Sequence, residues 1–384
     1  MSLNIHIYPS VFTNETRILK IVRTLHRHRI FNRVLIVAVG KDGLPEHEIV
    51  EDGIEILRVS PMFGRNRTGR FAFFLKAIGW YFSVFSALRQ KNVSCLNCHS
   101  LSVLPLTIAV SFWKRCCLVY EPHELETETM GLYGLRKRLM RATERSLIGK
   151  ADAVCVVNRS IADWYKKSYK LDRVWVIRNV PNFIGTDRKP EGVLRSATGI
   201  SSGAWIFLYQ GLLAPGRGVS LLIEAFSKMS EHHLVFMGYG ELETFVRKAT
   251  TKNANIHFMT AVPPDELWRY TIDADVGISL IEDKCKSYYL SLPNKVFEYL
   301  SCGLPAIVSN FPEVERLVGQ YDCGWNIAPD ERELRSLVKN LTREAVIAKA
   351  VNTKKTILAN NWQLEERVLL KMYKELGFDA EGAL

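Results

Sequence analysis

The chain has 384 residues, of which 47% are hydrophobic and 24% are charged, and its formal net charge is +11. This length suffices for two domains of ordinary size, and the composition excludes disordered and fibrous proteins. The positive charge favours an anionic partner, namely nucleic acid, a phosphorylated small molecule or an acidic membrane. Scattered cysteines without metal spacing, and the lack of a signal peptide, predict reduced thiols and a cytoplasmic protein.

Strand-like and helix-like runs alternate through the first half of the chain. Strands are predicted at 5–9, 34–40, 54–59, 95–99, 117–123, 153–158 and 174–179, and helices at 14–28, 71–88, 135–149 and 160–169. This alternation is typical of a parallel sheet that is covered by helices on both faces.

The most apolar segment is Phe71–Leu88, which contains Lys76 and is bracketed by Arg70 and Arg89. A membrane-spanning helix needs about 20 predominantly apolar residues. We therefore interpret the segment as a helix packed on the core. A helix that lies in the membrane interface, with its basic ends on anionic lipid, is the alternative.

A polar, aperiodic stretch at 181–203 predicts a linker, and the alternation restarts after it. Strands are predicted at 205–211, 233–241, 256–259, 276–281 and 305–309, and helices at 218–229, 264–272, 292–302, 313–318 and 331–340. We predict two doubly wound α/β domains, 1–180 and 181–360, and a closing helix in 361–384 that packs back on the first domain. Because such sheets bind ligands outside the carboxyl ends of their strands, the predicted site is a central cleft that both domains face.

The loop after the strand at 205–211 is a predicted anion site. Gly211 and Gly218 frame this loop, and the helix that begins near Gly218 offers free N–H groups, to which Arg217 adds a full charge. A surface arginine on a tight loop accounts for the same residues. The Gly238-Tyr-Gly240 turn after the next strand is a weaker signal, either for close approach of a planar ligand or for a plain turn.

The stretch SLPNKVFEYLSCGLP at 291–305 predicts a short helix that is capped by Ser291. Lys295 and Glu298 lie on the face opposite to its apolar residues, so they form either a solvated ion pair or two ligand-binding groups. At the edge of the sheet, Lys295 and Arg217 together suit a diphosphate, and Glu298 suits the hydroxyls of a ribose or sugar.

Two histidines of the first half, His99 and His123, each follow a predicted strand. A histidine at that position can donate a hydrogen bond to a substrate oxygen, or it can serve the structure alone. Neither has a third ligand at metal-binding spacing, so we predict no metal site. Walker A, zinc-hydrolase and nucleic-acid-binding motifs are also absent from the sequence.

Several segments follow one another in the order found in one enzyme family. In the second half these are YQGLLAPGRGVSLLIEAF, LVFMGYGE, IHFMTAVPPDELWRYTIDADVGISLI and SLPNKVFEYLSCGLPAIVS, and in the first half VYEPHELETE and ERSLIGKADAVCVVN. They resemble the retaining glycosyltransferases of family 4, whose GT-B fold has two Rossmann-like domains. The resemblance implies a hexosyltransferase that moves a sugar from a nucleotide diphosphate, UDP favoured over GDP, to a hydroxyl acceptor. It further implies a role in bacterial cell-surface polysaccharide or glycolipid synthesis.

The resemblance also implies roles for individual residues. His123 would lie near the donor sugar, Arg217 and Lys295 would hold the diphosphate during catalysis, and Glu298 would bind the ribose. The remaining nucleotide-binding positions would be Gly211, Gly218, Gly238, Gly240, Val262 and Pro263. It implies no metal and no cofactor, because basic residues and a helix N-terminus neutralise the leaving diphosphate.

Two positions depart from the family pattern. Leu290 stands where the first glutamate of the Glu-x7-Glu motif is expected, and Leu212 stands at the arginine of the glycine loop. A nucleotide-sugar epimerase and a catalytically silent sugar-nucleotide-binding partner protein are therefore the alternatives. The basic N-terminal half favours a glycan or lipid-phosphate-linked acceptor and a position on the inner face of the plasma membrane, rather than nucleic acid.

Overall fold

The protein is described here from a computed structural model, which covers residues 2–13, 15–63, 70–182 and 189–379. The chain forms two compact units. The first unit comprises Met1–Arg178 and Glu365–Leu384, and the second comprises Asn179–Leu364.

The first unit contains a sheet of eight strands with helices packed on it. The strands are β1 (Leu3–Ile7), β2 (Arg33–Val39), β3 (His47–Glu51), β4 (Ile54–Val59), β5 (Cys95–Cys98), β6 (Cys117–Tyr120), β7 (Ala153–Val156) and β8 (Trp175–Val176). Their order is β3-β4-β2-β1-β5-β6-β7-β8, and the pairings are parallel except for the β3–β4 hairpin. The strand order reverses between β1 and β5, so the loops after these two strands diverge there.

Five helices of the first unit follow the strands. They are α1 (Thr16–Arg27), α2 (Arg70–Leu88), α3 (Leu104–Lys114), α4 (Gly134–Leu147) and α5 (Arg159–Tyr169). Helix α1 shows why they form: its residues Ile18, Ile21, Val22 and Leu25 recur at helical spacing and are fully buried.

The second unit contains a six-stranded parallel sheet with the order β11-β10-β9-β12-β13-β14. The strands are β9 (Ile206–Leu212), β10 (His233–Tyr239), β11 (Ile256–Thr260), β12 (Val276–Ser279), β13 (Ala306–Ser309) and β14 (Gly324–Ile327). This is the dinucleotide-fold order, which starts at a central strand and grows outward in both directions. The strand order of this sheet reverses between β9 and β12.

Helices cover both faces of the second sheet, and each face has its own apolar core cluster. The helices are α6 (Val193–Thr198), α7 (Val219–Phe226), α8 (Glu243–Thr250), α9 (Leu267–Thr271), α10 (Lys286–Tyr289), α11 (Asn294–Ser301), α12 (Pro312–Tyr321), α13 (Glu331–Lys339) and α14 (Arg343–Ala359). The predicted fold class, two α/β domains built on parallel sheets, is confirmed.

The last helix, α15 (Trp362–Glu375), begins in the second unit and continues into the first. Its carboxylate Glu365 accepts hydrogen bonds from the backbone and side chain of Arg178, at 2.6–2.8 Å. Further along, the hydroxyl of Tyr373 accepts a hydrogen bond of 2.6 Å from Asn97 of β5. The buried part of α15 is therefore a component of the first unit.

Helix α2 is apolar on its exposed face as well as on its buried face. Trp80, Val84 and Leu88 are buried, whereas Phe74 and Phe82 are 60% and 57% exposed. The prediction of a helix packed on the core is therefore correct for one face only. Among the helices that the structure describes, none is long and apolar enough to cross a membrane.

Candidate functional site

The loops that follow β9 and β12 meet at the point where the strand order of the second sheet reverses. The β9 loop runs from Gly211 to the start of α7, and the β12 loop runs through α10 to the start of α11. Parallel α/β sheets bind ligands at this position, because the diverging loops leave a crevice between them. Arg217, Lys295 and Glu298 all lie on these two loops or on the helices that they enter.

The glycines of this edge allow backbones to approach closely within the protein. A Cβ atom on Gly218 would lie 2.1 Å from the carbonyl oxygen of Leu280, and Gly218 has φ +80°. A Cβ atom on Gly238 would lie 1.9 Å from the carbonyl oxygen of Gly211, and one on Gly240 would lie 2.4 Å from that of Leu213. The packing of β10 against β9 and its loop therefore requires glycine at positions 238 and 240, and no ligand is needed to explain them.

Arg217 precedes the first turn of α7, where the unpaired N–H groups of the helix carry partial positive charge. The guanidinium carbon of Arg217 lies 4.6 Å from the ring centroid of Tyr288, which holds its plane by stacking. Its Nε is buried and has no hydrogen-bond partner among the described residues. A buried guanidinium nitrogen without an acceptor suits an anionic ligand.

Lys295 brings a second cation to the same place. Its Nζ lies 3.6 Å from the ring centroid of Tyr209, and a Cβ atom on Gly211 would lie 3.9 Å from it. Burial and, to a smaller extent, the nearby charge of Arg217 lower the pKa of Lys295 to about 7, against the opposing effect of Glu298. Two cations that disfavour each other's charge form a site for a multiply charged anion.

Glu298 is held by a short chain of polar side chains that ends in the core. Its Oε2 accepts a hydrogen bond of 2.6 Å from the side-chain amide of Gln210, and the amide oxygen of Gln210 accepts one of 2.9 Å from Thr271. Gln210 lies near the end of β9 and is 1% exposed. Gln210 could not be singled out from the sequence, because an amide within an apolar strand belongs to no motif.

Helix α11 confirms the predicted division between an apolar and a polar face. Val296, Phe297 and Leu300 are buried in the core, and Lys295 and Glu298 are half-buried on the other side. The predicted cap is wrong: the helix begins after Pro293 without a side-chain cap, and the hydroxyl of Ser291 donates to the carbonyl of Tyr288. The preceding polar loop contains helix α10, and this helix, rather than a serine cap, leads the chain into α11.

The two departures from the family pattern differ in their surroundings. Leu290 follows α10 and is 7% exposed, so an apolar side chain fills the position of the missing glutamate. Leu212 ends β9 and is 44% exposed. The other two predicted binding residues, Val262 and Pro263, follow β11 as partly buried and exposed residues respectively.

The first unit has a polar cluster where its own strand order reverses, and four of its side chains form a continuous hydrogen-bonded row. The Nε2 of His6 lies 2.6 Å from the Oδ1 of Asn4, and its Nδ1 lies 2.8 Å from the Nε2 of His99. The Nδ1 of His99 in turn lies 3.2 Å from the Nε2 of His123. The sequence indicated His99 and His123 but missed Asn4 and His6, which are inside β1 and look like ordinary strand residues.

The histidines of this row are held neutral. Burial lowers the pKa of His6 and of His123 to about 3, and it lowers the pKa of His99 well below its ordinary value. The charge of Arg17 contributes in the same direction to His99 and His123. In contrast, burial raises the pKa of Glu126, whose carboxylate accepts hydrogen bonds from Ser100 and the backbone of Leu101, to about 7.

One subset of this cluster has the spacing of metal ligands. Ligand atoms of His6, His99 and Glu121 lie within 4.8 Å of one another, and all three residues are buried. In the structure, however, the two imidazoles are hydrogen-bonded to each other, and Glu121 accepts a hydrogen bond from Asn97. The two imidazoles thus have partners within the protein, whereas Oε2 of Glu121 is buried and has no hydrogen-bond partner among the described residues.

Comparison with protein families gives one match for each unit. A profile described as Glycosyltransferase Family 4 matches residues 15–188, and one described as Glycosyl transferases group 1 matches residues 192–352. No significant match occurs among curated proteins.

Solved structures match the chain over almost its full length. Sucrose-phosphate synthase from Thermosynechococcus elongatus is 13% identical, with a TM-score of 0.79 over 98% of this chain and 99% of that one. Anabaena HepE in complex with UDP-glucose is 12% identical, with a TM-score of 0.72 over 98% and 100% of the two chains. WaaG, a glycosyltransferase involved in lipopolysaccharide biosynthesis, is 17% identical, with a TM-score of 0.69 over 95% and 98%. At these identities the likeness is one of fold.

Proposed function

The chain is a glycosyltransferase that belongs to family 4 and has the GT-B fold, and we propose that it transfers a hexosyl group from a UDP-sugar to a hydroxyl acceptor. The observation that supports this most is the convergence of Arg217, Lys295 and the N-terminus of α7 at one sheet edge. Glu298 stands one helical turn from Lys295, where a ribose joined to the diphosphate would meet it. The similar fold of HepE, which was solved with UDP-glucose, supports UDP over GDP.

The proposed reaction retains the configuration of the anomeric carbon. The bond between that carbon and the leaving phosphate oxygen breaks, and the bond to the acceptor hydroxyl forms on the same face. The hydroxyl proton passes to a phosphate oxygen of the departing UDP, so that atoms and charges balance. Arg217, Lys295 and the α7 N-terminus stabilise the charge that develops on the diphosphate, so we propose that no metal ion is required.

A panel of nucleotide sugars tests this function. We expect release of UDP from one UDP-sugar, accelerated by acceptor, and retention of the anomeric configuration in the product. Isomerised sugar without UDP release would instead indicate an epimerase. Binding without turnover would indicate the silent sugar-nucleotide-binding protein, which the apolar Leu290 in place of a glutamate favours as the second candidate.

The first unit offers a pocket for the acceptor at the carboxyl ends of β1, β2 and β4. The pocket has a volume of about 570 Å³, and Trp80, Tyr81 and Pro9 line it together with Lys41 and Lys76. The carboxylate of Asp42 also lines the pocket, so its charged groups carry a net charge of +1. Apolar walls with a net positive charge suit an acceptor that joins a hydrophobic body to a phosphate. We therefore favour a lipid-phosphate-linked acceptor over a free glycan.

An exposed aromatic patch, which begins one turn along α2 from Tyr81 of the pocket, suggests how such a lipid is reached. The rings of Phe85 on α2 and Trp113 on α3 stack at 4.4 Å, and Phe112 beside them is 65% exposed. Lys114 and Lys150 lie over the rings of Trp113 and Phe112, so cations border the apolar surface. Aromatic rings bordered by lysines suit an anionic membrane interface.

Replacing Phe85 and Trp113 together with serine should lower the fraction of protein that floats with vesicles containing anionic lipid. Each basic residue at an anionic membrane surface contributes about 1 kcal/mol of binding free energy. The wild-type protein should therefore bind purely zwitterionic vesicles less well. The matched control is serine at Ile347 and Val351 of α14, which are also exposed, at 62% and 65%. Equal flotation of the two double variants would show that the aromatic patch is not the membrane contact.

A further inference from the structure

A second pocket of the first unit, with a volume of about 400 Å³, lies between α4 and α5. Three arginines of α4 line it together with Trp164, Ser168 and Tyr169 of α5, and we call it the arginine pocket. None of the described residues that line it is acidic. It shares no lining residue with the histidine row or with the pocket at the carboxyl ends of β1, β2 and β4. The arginine pocket is therefore a separate candidate site, and it lies within one unit.

The three arginines, Arg138, Arg141 and Arg145, lie on one stripe of α4. At about 100° per residue, their side chains leave the helix axis within roughly 60° of one another. The exposed Arg136 leaves the axis about 160° away from Arg138 and does not line the pocket. The spacing of the arginines thus concentrates positive charge beside α5.

Two carboxylates lie near the arginines without neutralising them. Glu128 pairs with Arg141 and, at 2.7 Å, with Lys137, so one carboxylate serves two cations. The buried carboxylate of Glu144 accepts hydrogen bonds from three tyrosine hydroxyls, among them that of Tyr169. Even with Glu144 ionised, four cations face two carboxylates, and the net charge is +2.

The arginines retain N–H groups that a ligand can use. The Nη2 of Arg145 donates to the carbonyl oxygen of Ser168 at 3.2 Å, which anchors this side chain across the pocket. Arg138 has no hydrogen-bond or ion-pair partner among the described residues. A guanidinium carries five N–H donors in a fork that matches two oxygens of a phosphate. Arg138 and Arg145 therefore suit a phosphate group.

The indole of Trp164 gives the arginine pocket an apolar wall. The ring of Tyr169 meets it at 86°, with 5.6 Å between the centroids, and the guanidinium carbon of Arg141 lies 5.9 Å from its centroid. A volume of about 400 Å³ is typical of small-molecule sites, and an inorganic phosphate ion would leave most of it unfilled. The pocket therefore suits an anion that is joined to an organic body.

We propose that the arginine pocket binds a phosphate monoester, whose phosphate contacts Arg138 and Arg145 and whose organic body packs on Trp164. A monoester carries a charge of about −1.5 to −2 at pH 7, which complements the net positive charge of the pocket. A sugar phosphate in solution and the headgroup of phosphatidic acid share this chemistry. The site is independent of the proposed sugar transfer, because it needs neither Arg217 nor Lys295.

Titration calorimetry of the full chain with glucose 6-phosphate, at constant ionic strength, tests the proposal. We expect glucose not to bind and inorganic phosphate to bind about tenfold more weakly than glucose 6-phosphate. In the double variant Arg138→Ala/Arg145→Ala the affinity should fall by about tenfold or more, because charge-assisted hydrogen bonds are lost. In Arg217→Ala it should stay within about twofold of wild type, which separates this site from the proposed donor site.

Arg136→Ala is the matched control, since it removes an exposed cation of the same helix that does not line the pocket. Its affinity for glucose 6-phosphate should stay within about twofold of wild type. Equal losses in Arg136→Ala and Arg138→Ala would attribute binding to diffuse charge and overturn the proposal. Equal affinities for inorganic phosphate and glucose 6-phosphate would overturn the contact between an organic body and Trp164.

Flotation with vesicles distinguishes a soluble monoester from a lipid. Phosphatidic acid presents a phosphate monoester, whereas phosphatidylglycerol presents a diester. If the ligand is soluble, Arg138→Ala/Arg145→Ala should change flotation on the two lipids to the same small extent. If the ligand is a lipid, glucose 6-phosphate should not bind, and the double variant should lose flotation on phosphatidic acid alone. The absence of both glucose 6-phosphate binding and this selective loss would overturn the proposal.

Discussion

Alanine at Arg217 should lower kcat for sugar transfer by roughly 100- to 1,000-fold, the usual loss when one preorganised donor to a developing anion is removed. The guanidinium stacks on Tyr288 beside the N-terminus of α7, and its buried Nε has no protein partner among the described residues. Its interaction with the diphosphate should therefore strengthen as the leaving group acquires charge. Steady-state kinetics with the UDP-sugar found in the panel measure the effect.

A matched control is available in the same unit. Arg247 on α8 also stacks on an aromatic ring, that of Phe258 at 4.3 Å, and it pairs with Glu243 on the helix surface. Arg247→Ala should leave kcat within about twofold of wild type, because an exposed pair of this kind contributes little. Similar losses in both variants would mean that Arg217 acts through the fold rather than on the diphosphate.

Binding of UDP should take up a proton above about pH 7, and the affinity should fall as the pH rises beyond that value. Lys295 has a pKa of about 7 in the unliganded protein, mainly because it is buried. A diphosphate next to the ammonium favours its charged form and raises that pKa. Above pH 7 the neutral amine must therefore gain a proton on binding, and the affinity should fall by up to about tenfold for each further pH unit.

Titration calorimetry in two buffers with different ionisation enthalpies measures this proton uptake. In Lys295→Met the uptake should disappear above pH 7, and UDP should bind about tenfold or more weakly, because a charge-assisted hydrogen bond is lost. Proton uptake that persists unchanged in Lys295→Met would assign it to another group.

The same pKa has a consequence for stability. A folded-state pKa of about 7 lies below the ordinary lysine value, so the unfolded chain binds more protons between about pH 7 and pH 10. Lys295 therefore lowers the free energy of unfolding most at and below about pH 7, and this destabilisation diminishes as the pH rises from 7 to 10. Lys295→Met should accordingly be no less stable than wild type at neutral pH, which keeps the binding experiment interpretable.

Most strands of the two sheets were predicted from the sequence, because buried parallel strands are continuous apolar runs, but β14 was not. The prediction for β4, 54–59, coincides with the observed strand, and β9 differs by one residue. The edge strand β3, HEIVE, was missed because its alternate residues are exposed and polar. Helix α14 was missed because its polar and apolar residues do not segregate to opposite faces.

Some residues of the candidate sites can be predicted from a local sequence pattern, whereas others become apparent only when the fold brings them together. Arg217, Lys295 and Glu298 are visible in sequence because each lies next to a turn or helix signal at a strand end. Gln210 and His6 lie within apolar strands, and their contacts join residues 88 and 93 positions apart in the chain. Such pairs follow from strand order, which a single sequence does not specify.

The affinity of UDP for Arg217→Ala and Glu298→Ala, measured by calorimetry beside wild type and Arg247→Ala, tests the central claim most directly. Arg217 and Glu298 are expected to contact different parts of one nucleotide, so each substitution should weaken binding by about tenfold or more. Inorganic pyrophosphate has no ribose, so its affinity should fall in Arg217→Ala and stay unchanged in Glu298→Ala. Unchanged UDP affinity in both variants would contradict the assignment of this sheet edge as the donor site.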